Sequence, residues 1–127
     1  MDYPVLGKAP NIAQAMVPHR LDASGNAVPS GGTGYETVAA SQTDQAMGAT
    51  GAAGDFLAGV LIVPATTGAG TVSVKDGAGS AIVLFTGGGT LSDLKPFFVP
   101  LGACSASGAW KVTTGANVSA VAFGAFT

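Results

Sequence analysis

Residues 71–85 read TVSVKDGAGSAIVLF, and this stretch decides the fold class. Residues 71–75 alternate polar and apolar side chains, which is the pattern of a strand with one exposed face. Residues 76–79, DGAG, carry a turn signal, and the apolar residues 81–85 can return the chain as a second strand. The stretch therefore predicts a β-hairpin.

Similar short strands are predicted on both sides of this hairpin. They lie at residues 56–65, 96–101, 109–113 and 118–123. The first is apolar almost throughout, which indicates a buried strand, and the second is bracketed by prolines, which favours an edge or sheet-switching strand. Residues 114–117, TGAN, predict a second hairpin between the last two strands. Six or seven strands with regular turns predict a β-sandwich or jelly-roll-like domain over residues 42–127, and both topologies remain open.

Residues 1–41 differ from the rest of the chain. Four of the seven prolines fall in the first 30 residues, and proline favours extended chain and cannot donate a ladder hydrogen bond. Turn or linker signals follow at residues 24–26 and 30–34. Scattered apolar residues such as Ile12 and Val17 favour an extended N-terminal arm that becomes ordered by packing against another surface. A disordered tail is the alternative.

The composition predicts a protein that depends on its neighbours. Only 9% of the residues are charged, and 23 Ala and 20 Gly leave 36 large aliphatic or aromatic residues for a core. A core of that size stabilises a monomer modestly. Cys104 is the single cysteine, so no disulfide can form within the chain. Oligomerisation or attachment to a larger assembly is therefore expected.

Charge and hydropathy exclude two classes of partner. The net charge of −2 and five basic residues spread along the chain argue against nucleic acid. The apolar run at residues 60–63 is far too short to cross a bilayer. The first residues show neither the basic start nor the apolar stretch of a signal peptide, so synthesis in a cytosol is expected.

No residue set predicts catalysis. His19, the only histidine, lies in the proline-rich arm, where a positioned base is not expected, and a surface or interface role is favoured. No base is suggested near Cys104, which is interpreted as a buried or interfacial small residue. The glycine runs at residues 31–34 and 87–90 lack the lysine and helix of a phosphate loop and indicate turns. Trp110 is predicted to anchor the core.

The seven carboxylates are scattered along the sequence. Asp55 is interpreted as a loop cap and Asp76 as a turn former. A calcium site built from Asp55, Asp76 and Asp93 remains an alternative, since calcium takes several oxygen ligands. The prediction is therefore a non-enzyme with no catalytic, cofactor-binding or metal-binding residue.

Four pieces of the sequence carry a resemblance to a known class of protein. They are residues 54–64, GDFLAGVLIVP; 72–77, VSVKDG; 98–102, FVPLG; and 108–115, GAWKVTTG. Together they resemble a recurring module of tailed-phage structural proteins, over roughly residues 45–127. The resemblance implies a jelly-roll or β-sandwich head that decorates the capsid as a cement protein, often as a trimer, and it implies no catalytic residues.

The function expected from the sequence is structural. The chain is predicted to decorate a tailed-phage capsid and to stabilise it by bridging neighbouring capsid subunits, with the major capsid protein and further copies of itself, as a homotrimer, for partners. It would be made in the host cytoplasm and reside on the virion surface. The alternatives are a head-fibre or tail-associated β module that touches host glycans, a free carbohydrate-binding module and, last, an enzyme.

Overall fold

The computed structural model describes residues 19–21, 24–29, 34–65, 68–87 and 94–127. The described residues form ten strands and no helix, which confirms the predicted mainly β fold; accordingly, no helix there has the length and hydropathy to span a membrane. The strands are β1 (His19–Leu21), β2 (Ala27–Pro29), β3 (Gly34–Val38), β4 (Gln45–Ala46), β5 (Phe56–Pro64), β6 (Val72–Asp76), β7 (Ile82–Phe85), β8 (Phe97–Cys104), β9 (Trp110–Thr114) and β10 (Val118–Ala125).

Strands β3 to β10 form two four-stranded antiparallel sheets. Sheet I has the order β3-β10-β5-β8, and sheet II has the order β4-β9-β6-β7. The first of these eight strands pairs with the last, the second with the seventh, the third with the sixth and the fourth with the fifth. This nested pairing is the strand order of an eight-stranded jelly roll, and it distinguishes between the two topologies that the sequence left open.

The hairpin predicted at residues 71–85 is confirmed. Strands β6 and β7 pair antiparallel, with Val74 opposite Ile82, and they are the innermost pair of the nested set. Gly77 follows β6 with a φ of 56°, a left-handed conformation that glycine adopts without a steric penalty. The same residue packs so closely on the 107–108 loop that an added Cβ would lie 2.3 Å from Ser107 Oγ.

The second predicted hairpin, at residues 114–117, is wrong. Strand β9 belongs to sheet II and β10 to sheet I, so this segment crosses between the sheets. The Gly115 amide donates to Thr71 O at 2.7 Å, and the Gly70 amide donates to Ala116 O at 2.8 Å. These bonds hold residues 115–116 against residues 70–71, which precede β6. The chain therefore does not turn back to pair with β9.

The core lies between the two sheets and draws on both. Alternate residues of the strands point inward and are buried, as expected for the inner faces of a sandwich. The core cluster comprises Val38, Met47, Leu57, Val60, Ile62, Ala69, Val72, Val74, Trp110, Val112, Val118, Ala120 and Ala122. The predicted anchor role of Trp110 is confirmed, because its ring is buried and its Nε1 donates to Asp55 O at 2.9 Å.

The sandwich begins earlier in the chain than the expected boundary between residues 41 and 42. Strand β3 pairs with β10 along its whole length and brings Val38 into the core, so residues 34–38, assigned to the arm from their glycine-rich flank, belong to sheet I. The turn signal at residues 24–26 is confirmed between β1 and β2, which form a separate two-stranded hairpin. Residues 1–18 lie outside the described residues, so the extended arm stays a prediction.

Strand β8 lies at the edge of sheet I and pairs with β5, which confirms the edge alternative for the proline-bracketed segment. Between the pairs Leu57–Ala103 and Gly59–Pro100, β8 contains one extra residue. Gly102 takes a φ of 68° there, so the irregularity is a glycine β-bulge. A proline and a bulge both make an exposed edge a poor template for pairing with another strand.

Candidate interaction surface

The two residues considered as nucleophile or base belong to different sheets of the described structure. His19 begins β1 in the separate hairpin. Cys104 ends β8 and is exposed, so the buried interpretation of this thiol is wrong. The reason is the alternation of an edge strand: Ala103 packs against the core, and Cys104 faces away from it. Its interfacial interpretation stays a prediction.

Asp55 caps a loop, as predicted. Its carboxylate accepts hydrogen bonds from the Ala52 amide at 3.1 Å and from the Thr127 amide at 3.1 Å. The Thr127 hydroxyl donates to the same carboxylate at 3.0 Å. The buried carboxylate therefore ties the last residue of the chain to the loop that precedes β5.

Asp76 forms the predicted turn and also organises a second loop. Its carbonyl accepts from the Gly79 amide at 2.8 Å, which closes the turn after β6. Its carboxylate accepts from the Ser107 amide at 2.9 Å and from the Ala106 amide at 2.8 Å. These bonds hold the pKa of Asp76 below its usual value because they favour the charged form. The bond from the Ser107 amide is the largest cause, followed by the bond from the Ala106 amide.

The calcium alternative gains no support from the part of the chain that the structure describes. Asp93 lies outside it, and the carboxylates of Asp55 and Asp76 accept from protein donors in different loops. Among the described residues, no three His, Cys, Asp or Glu side chains gather closely enough to hold a metal ion. The hydrogen bonds that the carboxylates of Asp55 and Asp76 accept indicate a structural role for both groups.

The outer face of sheet II is polar on its strands β6 and β9, and Val83 is an exposed apolar residue on the neighbouring β7. Lys75 Nζ lies 3.0 Å from Asp44 Oδ2, and the Thr113 hydroxyl donates to Asp44 Oδ1 at 3.2 Å. The hydrogen bond from Lys75 is the largest cause that lowers the pKa of Asp44. Ser73 and Lys111 lie at the outward positions beside them. This is the pattern of a sheet whose outer face meets water.

The outer face of sheet I is apolar. Apart from the buried Gly59, its outward positions are half-buried or exposed, and none of them belongs to the core cluster. Thr37 and Ser119 are the polar residues among these positions. We call this surface the apolar face, and it consists of Tyr35, Leu61, Val63, Phe98, Val121 and Phe123. Neighbouring strands bring these side chains into register, with Val121 opposite Leu61 and Leu61 opposite Phe98.

Three aromatic rings cross the apolar face from one edge strand to the other. The ring centroids of Tyr35 and Phe123 are 6.1 Å apart, and those of Phe123 and Phe98 are 6.0 Å apart. Gly59 lies beneath the Phe98 ring, since an added Cβ would be 2.2 Å from Phe98 Cζ. Tyr35 is 67% exposed and Phe98 48% exposed, so both edges of this row are open to solvent in the single chain.

The apolar face carries no charge. Glu36 is the only charged residue in β3, β5, β8 and β10. It lies on the opposite side of β3 from Tyr35, where its carboxylate accepts a hydrogen bond from the Gly48 amide. Sequence reasoning missed this surface because the apolar run of β5 was interpreted as a fully buried strand.

No protein-family model, no curated protein and no solved structure matches the chain. The structure itself defines the class: a jelly-roll protein with one polar and one apolar outer face.

Proposed function

We propose that this chain is a structural component of a tailed-phage virion that decorates the capsid and stabilises the shell by bridging neighbouring capsid subunits. Its partners are then the major capsid protein and other copies of the chain in a homotrimer. On this proposal the protein acts without catalysis, cofactor, nucleic acid or membrane, and it reaches the virion surface after synthesis in the host cytoplasm.

The apolar face is the observation that supports a structural role most directly. Outward side chains such as Leu61 and Val121 lie outside the core cluster, so their exposed surface stabilises the fold little while the chain is alone. Covering an exposed Tyr or Phe removes apolar area from water at roughly 25 cal/mol per Å². This stabilisation becomes available only when another protein packs on the face.

The rigidity of the face supports the same role. Its residues lie on paired strands of one sheet, so little conformational freedom is lost when a partner packs on them. The carboxylates of Asp55 and Asp76 hold loops in place, and Trp110 packs in the core. These are the roles of side chains that maintain a structural framework. A rigid, uncharged, apolar surface on a stable scaffold suits permanent assembly.

The virion setting is supported by the resemblance of four pieces between residues 54 and 115 to a module of tailed-phage structural proteins. In that setting, the head adds buried area at junctions between capsid subunits, and this area must be exposed again before the shell can rupture. An arm formed by the N-terminal residues would reach across neighbouring subunits.

Gradient-purified particles of the phage that encodes this chain test the proposal. We expect the chain to sediment with mature heads in many copies per particle, as measured by quantitative mass spectrometry. Particles without it should release their DNA at a lower temperature, and adding back the purified chain should restore the release temperature. Particles that contain none of the chain would contradict the proposal.

The head-fibre or tail-associated module is a second candidate, and the exposed rings of Tyr35 and Phe98 favour it because aromatic faces can stack on sugars. The copy number distinguishes the two functions, since a fibre or tail part occurs in few copies. Binding of the pure chain to host glycans, abolished by Tyr35→Ala and retained by Val83→Ala, would favour the second candidate.

A further inference from the structure

The two central strands of sheet I are apolar on both of their faces, except for Ser119 on the outer side of β10. In β5, Val60 and Ile62 point into the core, while Leu61 and Val63 point outward. Strand β10 repeats the pattern with Val121 and Phe123 on the outside. Strands of this kind are typical of sheets that are covered on both sides, and here the residues that the structure describes cover only the inner side.

The apolar face is large enough to form an interface. Four strands about 4.8 Å apart and up to about eight residues long present a flat area on the order of 400 Å². A standard interface buries about 800 Å² of accessible surface on each partner, and side-chain relief makes accessible area larger than flat area. The apolar face therefore provides most of the surface area that one partner contributes to a standard interface.

The absence of charge narrows the choice of partner. An acidic or basic partner would gain nothing from a face with no ionised group, and it would lose hydration of its own charges. A second copy of this chain presents the same uncharged face, so two copies bury each other's apolar surface and leave no charge unpaired. Sheets packed in this way lie about 10 Å apart, as they do inside a sandwich.

We infer that a second copy of this chain covers the apolar face, so that the outer surface of sheet I is the contact through which copies associate. The inference rests on the self-association included in the proposed function and names the surface that mediates it. Two copies around a two-fold axis bring the Tyr35 edge of one copy over the Phe98 edge of the other. Three copies around a three-fold axis instead need a heterologous contact, in which the apolar face of each copy packs against a different surface of the next copy.

Analytical ultracentrifugation of the pure full-length chain tests the inference, with Tyr35→Glu and Val121→Glu as face variants. We expect the unmodified chain to sediment at two or three times its 12.2 kDa mass at micromolar concentration. A buried carboxylate without a partner should weaken association by at least about 30-fold in each variant. Val83→Glu is the matched control, because Val83 is 54% exposed on the outer side of sheet II, and it should leave the mass unchanged.

The fold of each variant is checked through Trp110, whose buried ring should keep its blue-shifted emission. Tyr35→Glu keeps the test valid if Val121→Glu fails to fold, because Tyr35 is mostly exposed. A monomeric unmodified chain would overturn the inference, and so would an oligomer that both face variants leave intact.

The outcomes also separate this inference from the proposed function. A dimer supports the inference and removes the trimer from the proposed function, while a trimer supports both. A monomer whose binding to capsids is lost in Tyr35→Glu assigns the face to the capsid protein, which overturns the inference and keeps the decoration role. An oligomer that is absent from purified particles keeps the inference and contradicts the decoration role.

Discussion

The two sheets have similar inner faces and opposite outer faces. In sheet II, the central strands β6 and β9 alternate Val72 and Val74 or Trp110 and Val112 on the inside with polar residues on the outside. In sheet I, the central strands β5 and β10 are apolar on both sides, with Ser119 as the one polar residue on their outer side. The inner alternation specifies the fold, and the difference between the outer faces indicates which side of the molecule contacts other proteins.

The same contrast is seen in the charged residues on the outer faces of the two sheets. The strands of sheet II and the residue before β4 carry Asp44, Lys75 and Lys111, and an ion pair joins the first two. Lys75 and Lys111 are directly opposite each other on neighbouring strands, where like charges repel, and the Asp44 carboxylate offsets that repulsion. Three charged side chains that interact with one another on the same face are typical of a surface that is exposed to water.

Gly59→Ala should have the largest effect, because it breaks the packing of the aromatic row on the backbone. An added Cβ would lie 2.2 Å from Phe98 Cζ and 2.6 Å from the Val99 carbonyl oxygen. We expect a loss of about 3 kcal/mol in the free energy of unfolding, measured by urea denaturation with Trp110 fluorescence. Gly34→Ala is the control, since its nearest atom would be 3.9 Å away. Equal stability of the two variants would contradict the packing of Phe98 over Gly59.

Replacing both Lys75 and Lys111 with valine should give sheet II an apolar outer face as well. The double variant should remain folded, because both lysines are half-exposed. It should associate into larger species, with affinity increased tenfold for each additional stabilisation of about 1.4 kcal/mol from apolar burial. Sedimentation velocity over a range of concentrations measures this. The same lysines replaced with threonine lose equal charge and should behave like the unmodified chain. Association of both variants would mean that charge, and not apolarity, distinguishes the faces.

Asp76→Asn should have a smaller effect that depends on pH. The pKa of Asp76 is lowered in the folded state, so its charge stabilises the fold above the unfolded pKa of about 3.9, and this contribution is lost as the pH falls through the folded value. We expect the variant to be less stable by about 1 kcal/mol at neutral pH. The difference should shrink below about pH 4 in chemical denaturation curves. A constant difference from pH 7 to below pH 4 would contradict this role.

Asp44→Asn should have the smallest effect. The Lys75–Asp44 pair is exposed to water, where ion pairs contribute little, and an asparagine can still accept the hydrogen bond from Thr113. We expect no measurable change in Tm and no change in oligomeric mass. A clear loss of stability would show that the polar outer face holds sheet II together and does more than meet solvent.

The sequence correctly predicts features of this fold that depend on neighbouring residues. Its predictions are wrong where contacts between distant segments determine the path of the chain. The hairpin over residues 71–85 is predictable because alternation and a DGAG turn lie within one stretch. Residues 114–117 carry the same kind of turn signal, yet they cross between the sheets because Gly70 and Gly115 approach closely. A local pattern cannot tell these cases apart, since the deciding contact lies about 45 residues away in the chain.

The apolar face could not be predicted from the sequence for a related reason. The β5 run predicts burial, but the sequence does not say how many sides of a strand its own chain covers. The exposed Cys104 was missed likewise, because the inward or outward position of an edge residue depends on the bulge at Gly102. The signal that was available is the contrast between β5, apolar at successive positions, and the alternating β6.

Hydroxyl-radical footprinting with mass spectrometry tests most directly whether the apolar face is covered in the assembled protein. The oxidation of Tyr35 and Phe98 is compared with that of Ile82 and Val83, which are exposed to a similar extent on sheet II. On assembly, whether into oligomers or onto particles, we predict strong protection of Tyr35 and Phe98 and unchanged oxidation of Ile82 and Val83. Oxidation of Tyr35 and Phe98 that stays unchanged on assembly would contradict a covered apolar face.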